Sequence, residues 1–266
     1  SQPIITMLFT PLFLLALCVS TVKAITFGEN DGDSHPYVGT LLFVQNGGFY
    51  SCSGTLLSST VMLTAGHCVQ DNGNSNDVTY VRFDEDAFEG IGDFGTLQDW
   101  LDDRWILADN VIAHPQWDDF SEFPEIFDVG VVILSEPIEG LGFGSLPDLD
   151  LLEETKDKQG NKDNWWTVVG YGAQGVINPF AEDDYARYQA TTRLIELKSH
   201  FTGSGTAKFT NNPGKGGGGS CVGDSGGPVF YQDSNVVGAV VSWGITPCIG
   251  VDYHFRMDTA IAHDFV

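Results

Sequence analysis

The chain has 266 residues, 36 acidic against 12 basic, a net charge of −24 at pH 7, 42% apolar residues and 32 glycines. That length suits one compact unit of two similar subdomains. The strong negative charge disfavours nucleic acid and anionic membrane surfaces as partners and favours solubility and contact with basic proteins.

Residues 4–22 are almost wholly apolar. The stretch has the length of a membrane anchor, but its core from Leu8 to Val19 and the small or aliphatic residues in Val22-Lys23-Ala24 fit a secretory signal peptide over 1–24 better. Met7 is the candidate initiator. Cys18 lies in this stretch, so four of the five cysteines remain beyond it: Cys52, Cys68, Cys221 and Cys248. An even count suits an oxidising compartment and allows three pairings. Val38–Val44 and Val61–Thr64 read as β-strands with Gly-rich punctuation. Thr64-Ala65-Gly66-His67-Cys68 follows at once. Asp71–Asp77 is a polar Asp/Asn/Gly loop, and Phe83–Trp105 is an acidic, aromatic stretch expected at the surface. Asp128 opens the apolar run Asp128-Val129-Gly130-Val131-Val132-Ile133-Leu134. A first half of the molecule is expected over 25–136, a polar connector over 137–164, and a second half over 165–266.

In the second half, Gly216-Gly217-Gly218-Gly219-Ser220 looks like a flexible linker, but its place directly before Cys221 marks it as native sequence. Then comes Gly223-Asp224-Ser225-Gly226-Gly227-Pro228. Val229–Gln232 and Val236–Trp243 form a hairpin pattern, and Asp258–Val266 reads as a short helix capped by Asp258.

The hexapeptide at Gly223 carries chemistry. A serine hydroxyl needs a neighbouring base to act as a nucleophile. Small neighbours expose Ser225 and let the Gly223 and Ser225 amides converge on one point, as an oxyanion hole requires. His67 supplies a base whose ordinary pKa lies near the working pH. Asp128, at the mouth of an apolar run, is placed to be buried yet face a cleft and orient that base. Asp118 and Asp119 are rivals, but they stand in a polar stretch. His35, His114, His200, His254 and His263 show no partner set. The Gly-x-Ser-x-Gly pattern also fits the nucleophile elbow of α/β-hydrolases. Only 41 residues (266 − 225) follow Ser225, too few for that fold's remaining elements.

Taken in order, the blocks around His67, Asp128 and Ser225, with Ser242-Trp243-Gly244, resemble the signature blocks of the chymotrypsin/trypsin-like serine endopeptidases. The resemblance runs from about Ile25 to the C-terminus. It implies an all-β fold of two six-stranded antiparallel β-barrels with the active site between them, ending in a short C-terminal helix. It also implies disulfides Cys52–Cys68 and Cys221–Cys248. One would clip the loop of His67 and the other would brace the pocket wall. A free amino group on Ile25, made by a cut after Ala24, is expected to pair with Asp224 and order the oxyanion hole without a separate propeptide. Ile25 precedes His67 by 42 residues (67 − 25), close to the family's spacing. No cofactor is expected; the resemblance allows calcium in the Asp71–Asp77 loop, but a solvated turn is the preferred reading there.

Substrate backbone is expected to pair with Ser242-Trp243-Gly244 as an added strand, with the side chain before the scissile bond entering a pocket near residues 219–222 and 242–252. Trypsin-like relatives hold an aspartate six places before the nucleophile; here that place is Gly219. Uncharged, apolar or aromatic side chains are therefore expected, with a basic preference restored if Asp252 turns into the pocket. The leading reading is a secreted, extracellular, monomeric endopeptidase acting on proteins or peptides and open to protein inhibitors. Its rivals are a protease-fold binding protein without catalysis and an active relative with a regulatory or toxin-like role.

Overall fold

The computed structural model describes residues 25–156, 164–177, 180–182, 184–215, 217–245 and 247–266. The expected signal peptide, the middle of the connector (157–163) and Gly216 lie outside the described residues. Strands dominate the rest. In chain order they are β1 Glu29–Asn30, β2 Val38–Gln45, β3 Gly48–Leu56, β4 Val61–Thr64, β5 Gln70–Asp71, β6 Asn74–Ser75, β7 Val78–Arg82, β8 Ile106–Ala113 and β9 Gly130–Leu134. They continue with β10 Trp166–Gly170, β11 Gly175–Ile177, β12 Phe180–Glu182, β13 Tyr188–Glu196, β14 Thr206–Asn211, β15 Pro228–Tyr231, β16 Val237–Gly244 and β17 Gly250–Arg256. Helices are α1 Leu97–Arg104, α2 Leu151–Thr155 and α3 Ala260–Phe265.

Two six-stranded antiparallel barrels result. The first closes in the order β2-β3-β4-β9-β8-β7. The second runs β13-β10-β15-β16-β17-β14 and closes because β13 also pairs with β14, while β1 adds a further strand on β13. Closure removes the exposed sheet edges that would otherwise invite mispairing. Apolar runs supply the central strands: β9 (Gly-Val-Val-Ile-Leu) and β16 (Val-Gly-Ala-Val-Val-Ser-Trp-Gly) are buried over most of their length. β13 instead alternates inward Tyr188, Ala190, Thr192 and Leu194 with outward-turned residues, the period-two pattern of a strand with one face to water.

One apolar core fills the first barrel and continues through Tyr171, Phe230 and Val240 into the seam between barrels; α3 joins it through Ala262. The second barrel has its own core around Trp166, Val168, Phe209 and Val229, which also receives Ile25. Arg187 ties the parts together. Its Nε donates to Asp31 Oδ2, Nη1 to the Val38 and Phe83 carbonyls and the Tyr171 hydroxyl, and Nη2 to the Gly32 carbonyl.

The insertion at Phe83–Trp105 packs rather than dangles. Thr96 caps α1 by accepting from the Asp99 amide, Arg104 sits in the last turn, and Trp100, Leu101 and Trp105 bury against Leu42, Tyr80, Phe88 and Phe94. The C-terminal helix starts later than the sequence suggested. Thr259, not Asp258, is its cap, because Asp258 is drawn inward to Arg256 and the Leu152 amide. The Asp71–Asp77 loop is a hairpin of β5 and β6 whose turn residues Asn72 and Gly73 both have positive φ, as an Asn-Gly type I′ turn requires.

Candidate active site

His67 lies in the short 3-10 turn Gly66–Cys68 that leaves β4. Asp128 stands two residues before β9, the strand that pairs with β4, so the β4–β9 register brings the two together. A side chain at residue 66 would press on the Trp117 ring at 3.1 Å and on Asp128 Oδ1 at 3.3 Å, so glycine is what lets the turn close over the carboxylate. Asp128 is fully buried and saturated with donors. Oδ1 accepts from the His67 amide at 2.9 Å, Oδ2 lies 2.8 Å from His67 Nδ1, and the Ser242 hydroxyl also donates to Oδ2. Burial alone would lower the His67 pKa, but the charge and hydrogen bond of Asp128, with a contribution from Asp119, hold it above the ordinary imidazole value.

The loop from Cys221 to Pro228 belongs to the second barrel but is fastened to the first. Ser53 of β3 gives its amide to the Ser225 carbonyl at 2.7 Å and its hydroxyl to the Gly223 carbonyl, and its oxygen accepts from the Tyr171 amide. Gly223 and Gly226 both have positive φ, and a side chain at Gly226 would collide with Thr64 and the Ser53 carbonyl. Among the described residues neither the Gly223 nor the Ser225 amide donates to an internal acceptor, so both remain available to an oxyanion. Ser225 and His67 line one cleft of about 340 Å³ with Ser220, Gly223, Ser242 and Trp243. No hydrogen bond joins Ser225 Oγ to the imidazole; such catalytic bonds are commonly long before substrate closes the site.

Asp224 is fully buried, with Oδ1 accepting from the Gly172 amide and Oδ2 from the Cys221 amide, each at 2.8 Å. Side chains at Gly170 or Gly172 would run into this carboxylate. Thr26 pairs with Gly219 through the Gly219 amide at 3.1 Å and its own hydroxyl at 2.9 Å, docking the Ile25 segment on the stretch that leads to Asp224. Disulfides join Cys52 to Cys68 and Cys221 to Cys248.

Ser220, Ser242, Trp243, Gly244 and Cys248 line the cleft, and Trp243 stacks flat on Tyr253 at 3.7 Å. Gly219 lies behind that wall. A side chain there would collide with Asn211 and come within 2.8 Å of Asp252 Oδ2. Asp252 is also set back: it is fully buried, and its Oδ2 accepts from the Ser220 amide and hydroxyl, both at 2.9 Å. In the Asp71–Asp77 hairpin, Asp71 Oδ1 and Oδ2 accept from the Asn72 and Asn46 side-chain amides, which does not fit oxygens converging on calcium. Among the described residues one trio of possible metal ligands comes together, Cys52, His67 and Cys68, and its cysteines are bonded to each other.

Sequence reasoning missed Ser242 as a donor to Asp128, Ser53 as the stitch between barrels, and the Asp119 charge beside His67. Their partners are 114 residues away for Ser242 and about 170 for Ser53, and no local pattern signals them.

The two-barrel fold agrees with the comparisons. The model of the Trypsin family matches residues 26–263, and the chain belongs to that family. It is 24% identical over 211 residues to a trypsin-like protease of Streptomyces glaucescens (73% of this chain, 65% of that protein). It is 28% identical over 206 residues to trypsin 5G1 of Aedes aegypti (74% and 67%), and 28% identical over 219 residues to a renal glandular kallikrein of Mastomys natalensis (75% and 72%). The matched region thus spans about two thirds of the length of these relatives. Among solved structures the fold is shared with HL collagenase (TM-score 0.67, 20% identity, covering 88% of this chain and 94% of that one). It is also shared with mouse neuropsin (TM-score 0.63, 19% identity, 88% and 95%).

Proposed function

We propose that the protein is a secreted endopeptidase that works through an acyl-enzyme, with Ser225 as nucleophile, His67 as general base and acid, and Asp128 as orienter. The observation that carries this is the saturated Asp128 carboxylate, which holds His67 Nδ1 and thereby aims the other ring nitrogen at the cleft where Ser225 stands. Ser225 Oγ attacks the peptide carbonyl carbon while His67 Nε2 takes its proton. The oxyanion is met by the Gly223 and Ser225 amides. The C–N bond then breaks as His67 returns the proton to the leaving amine, and water repeats the sequence to free the acid and Ser225. No cofactor takes part.

Substrate backbone lies along Ser242-Trp243-Gly244, and the side chain before the scissile bond enters beside Ser220 and Gly244. Uncharged, apolar or aromatic groups are the primary preference, since Gly219 supplies no charge. The placement of Asp252 directly behind Ser220 favours a second reading, acceptance of basic side chains. The leader at 1–24 and the two disulfides support secretion. Removal of the leader after Ala24 frees the Ile25 amine, whose partner is Asp224; that pairing is lost at alkaline pH as the amine deprotonates. The protein acts as a monomer on protein or peptide substrates, with protein inhibitors as further partners, and has no nucleic-acid or membrane partner.

Titration with a serine-reactive organophosphate tests the assignment. One equivalent is expected to be consumed at Ser225 and none by Ser225→Ala; stoichiometric labelling elsewhere, or none in the wild type, overturns it. N-terminal sequencing of the active form is expected to begin at Ile25.

A further inference from the structure

The loop that carries Ser225 is held in place by its carbonyls. A peptide unit is planar and trans, so each N–H points opposite to the carbonyl of the residue before it. Fixing that carbonyl therefore aims the N–H. The Gly223 amide shares its plane with the Val222 carbonyl, which accepts from the Ala173 amide at 2.7 Å. The Ser225 amide shares its plane with the Asp224 carbonyl, which accepts from the Gly227 amide at 2.8 Å. Both anchors belong to the second half of the chain. Between these two planes lies the Gly223–Asp224 peptide. Its carbonyl is held from the first barrel, by the Ser53 hydroxyl at 3.1 Å. The Ser225–Gly226 peptide that follows is held by the Ser53 amide at 2.7 Å.

Ser53 is fully buried on β3, and each of its polar atoms has a partner. Its carbonyl accepts from the Thr64 hydroxyl at 2.9 Å, and its own hydroxyl accepts from the Tyr171 amide at 3.0 Å. The Tyr171 amide can only donate and the Gly223 carbonyl can only accept, so the single hydroxyl proton has one direction. Packing leaves the side chain little freedom. A Cβ at residue 170 would stand 3.1 Å from Ser53 Oγ, and one at residue 227 would stand 3.3 Å from its Cβ. The loop needs such anchoring, because Gly223 sits at φ +95° and glycine takes negative φ as readily as positive.

Resting on the proposed peptidase reading, we infer that Ser53 is a positioning residue for the oxyanion hole. Its hydroxyl locks the peptide between the two donor amides, and so makes their convergence depend on contact between the barrels. Without that hydroxyl the Gly223–Asp224 peptide is free to turn, and the Gly223 and Ser225 amides no longer aim at one point. The Ser242-Trp243-Gly244 strand, where substrate backbone lies, makes no hydrogen bond to Ser53. The loss therefore falls on formation of the oxyanion, and so on kcat, while substrate binding is spared.

The test compares wild type, Ser53→Ala and Leu101→Ala, the last destabilising the α1 cluster without touching the nucleophile loop. Active sites are counted by organophosphate labelling, and kcat is taken per labelled site on a peptide amide. In Ser53→Ala, kcat is expected to fall roughly 10- to 100-fold while KM stays within about twofold. A peptidyl trifluoromethyl ketone reports on the hole directly: Ser225 Oγ adds to its carbonyl carbon, His67 takes the proton, and the oxygen becomes an oxyanion. Its affinity is expected to fall by a similar factor, whereas the same peptide lacking the ketone group binds as to wild type. Leu101→Ala is expected to lower the thermal midpoint and leave these values unchanged. Equal weakening of both ligands, or an unchanged kcat in Ser53→Ala, overturns the inference. If Ser53→Ala fails to fold, a crystal structure of the wild-type ketone adduct decides. Ser53 Oγ is expected to keep its hydrogen bond to the Gly223 carbonyl while both amides meet the oxyanion; a broken bond there overturns the inference. If wild-type Ser225 takes neither organophosphate nor ketone, the peptidase reading itself fails, and this inference falls with it.

Discussion

Two histidine-aspartate pairs among the described residues, His67–Asp128 in the first barrel and His254–Asp252 in the second, are built in opposite ways. In the first, Asp128 receives an amide, an imidazole and a hydroxyl, and the imidazole faces the cleft. In the second, Asp252 is satisfied on one oxygen only, and His254 is sealed from the cleft. A saturated carboxylate fixes one tautomer and one orientation, which general-base chemistry needs. The same two residue types therefore give a fully bonded pair facing the cleft in one place and an incompletely bonded buried pair, tied to Ser220, in the other.

The sharpest way to break this contrast is to remove each charge in turn. Asp128→Asn is expected to lower kcat by about 10⁴ for every peptide, because the imidazole loses its tautomer lock. Asp252→Asn is expected to act selectively, on peptides with a basic residue before the scissile bond. Steady-state kinetics on both variants decides; a uniform loss in the two would erase the distinction.

A third buried carboxylate, Asp31, extends the comparison to a site without chemistry. It is paired with Arg187 and His35. Arg187→Met leaves it facing histidine alone and strips donors from several carbonyls, so a loss of about 3–5 kcal/mol is expected in denaturant unfolding. The floor of the pocket should be more tolerant. Gly219→Ala forces a methyl onto Asn211 and Asp252 and is expected to cost about 1–3 kcal/mol, read as a lowered thermal midpoint.

The smallest effect concerns pH. Imidazolium at His67 cannot act as base, so kcat/KM falls on the acid side. Since Asp128 holds the His67 pKa above the ordinary value, that fall is expected at higher pH than for a free imidazole. Asp119 adds to the same shift. Asp119→Asn is therefore expected to move the acid limb to lower pH, measured on a neutral peptide; a shift upward would contradict the assigned sign.

Much of this site was legible in the linear chain. Ser225, His67 and Asp128 sit in compact blocks of small residues and β-forming runs, because each needs a tight turn or a strand end to present its side chain. The strands at Val38–Gln45 and Val61–Thr64 and the hairpin of β15 and β16 were readable for the same reason: alternation and turn residues act over a few positions. The helix cap was misread because Asp258 finds stronger partners in Arg256 and Leu152, which lies 106 residues away.

By itself, then, the amino-acid sequence determined the candidate reactive groups, their order and the cysteines available to staple them, since these depend on local chemistry. Only the tertiary structure decided what stands behind them. The Ser242 hydroxyl on Asp128, the Ser53 stitch between barrels, the collision space at Gly219 and the pairing of Asp252 with His254 under Ser220 all depend on barrel closure. Closure brings strands from distant parts of the chain into register, and burial then turns an ordinary carboxylate or imidazole into a group whose charge matters.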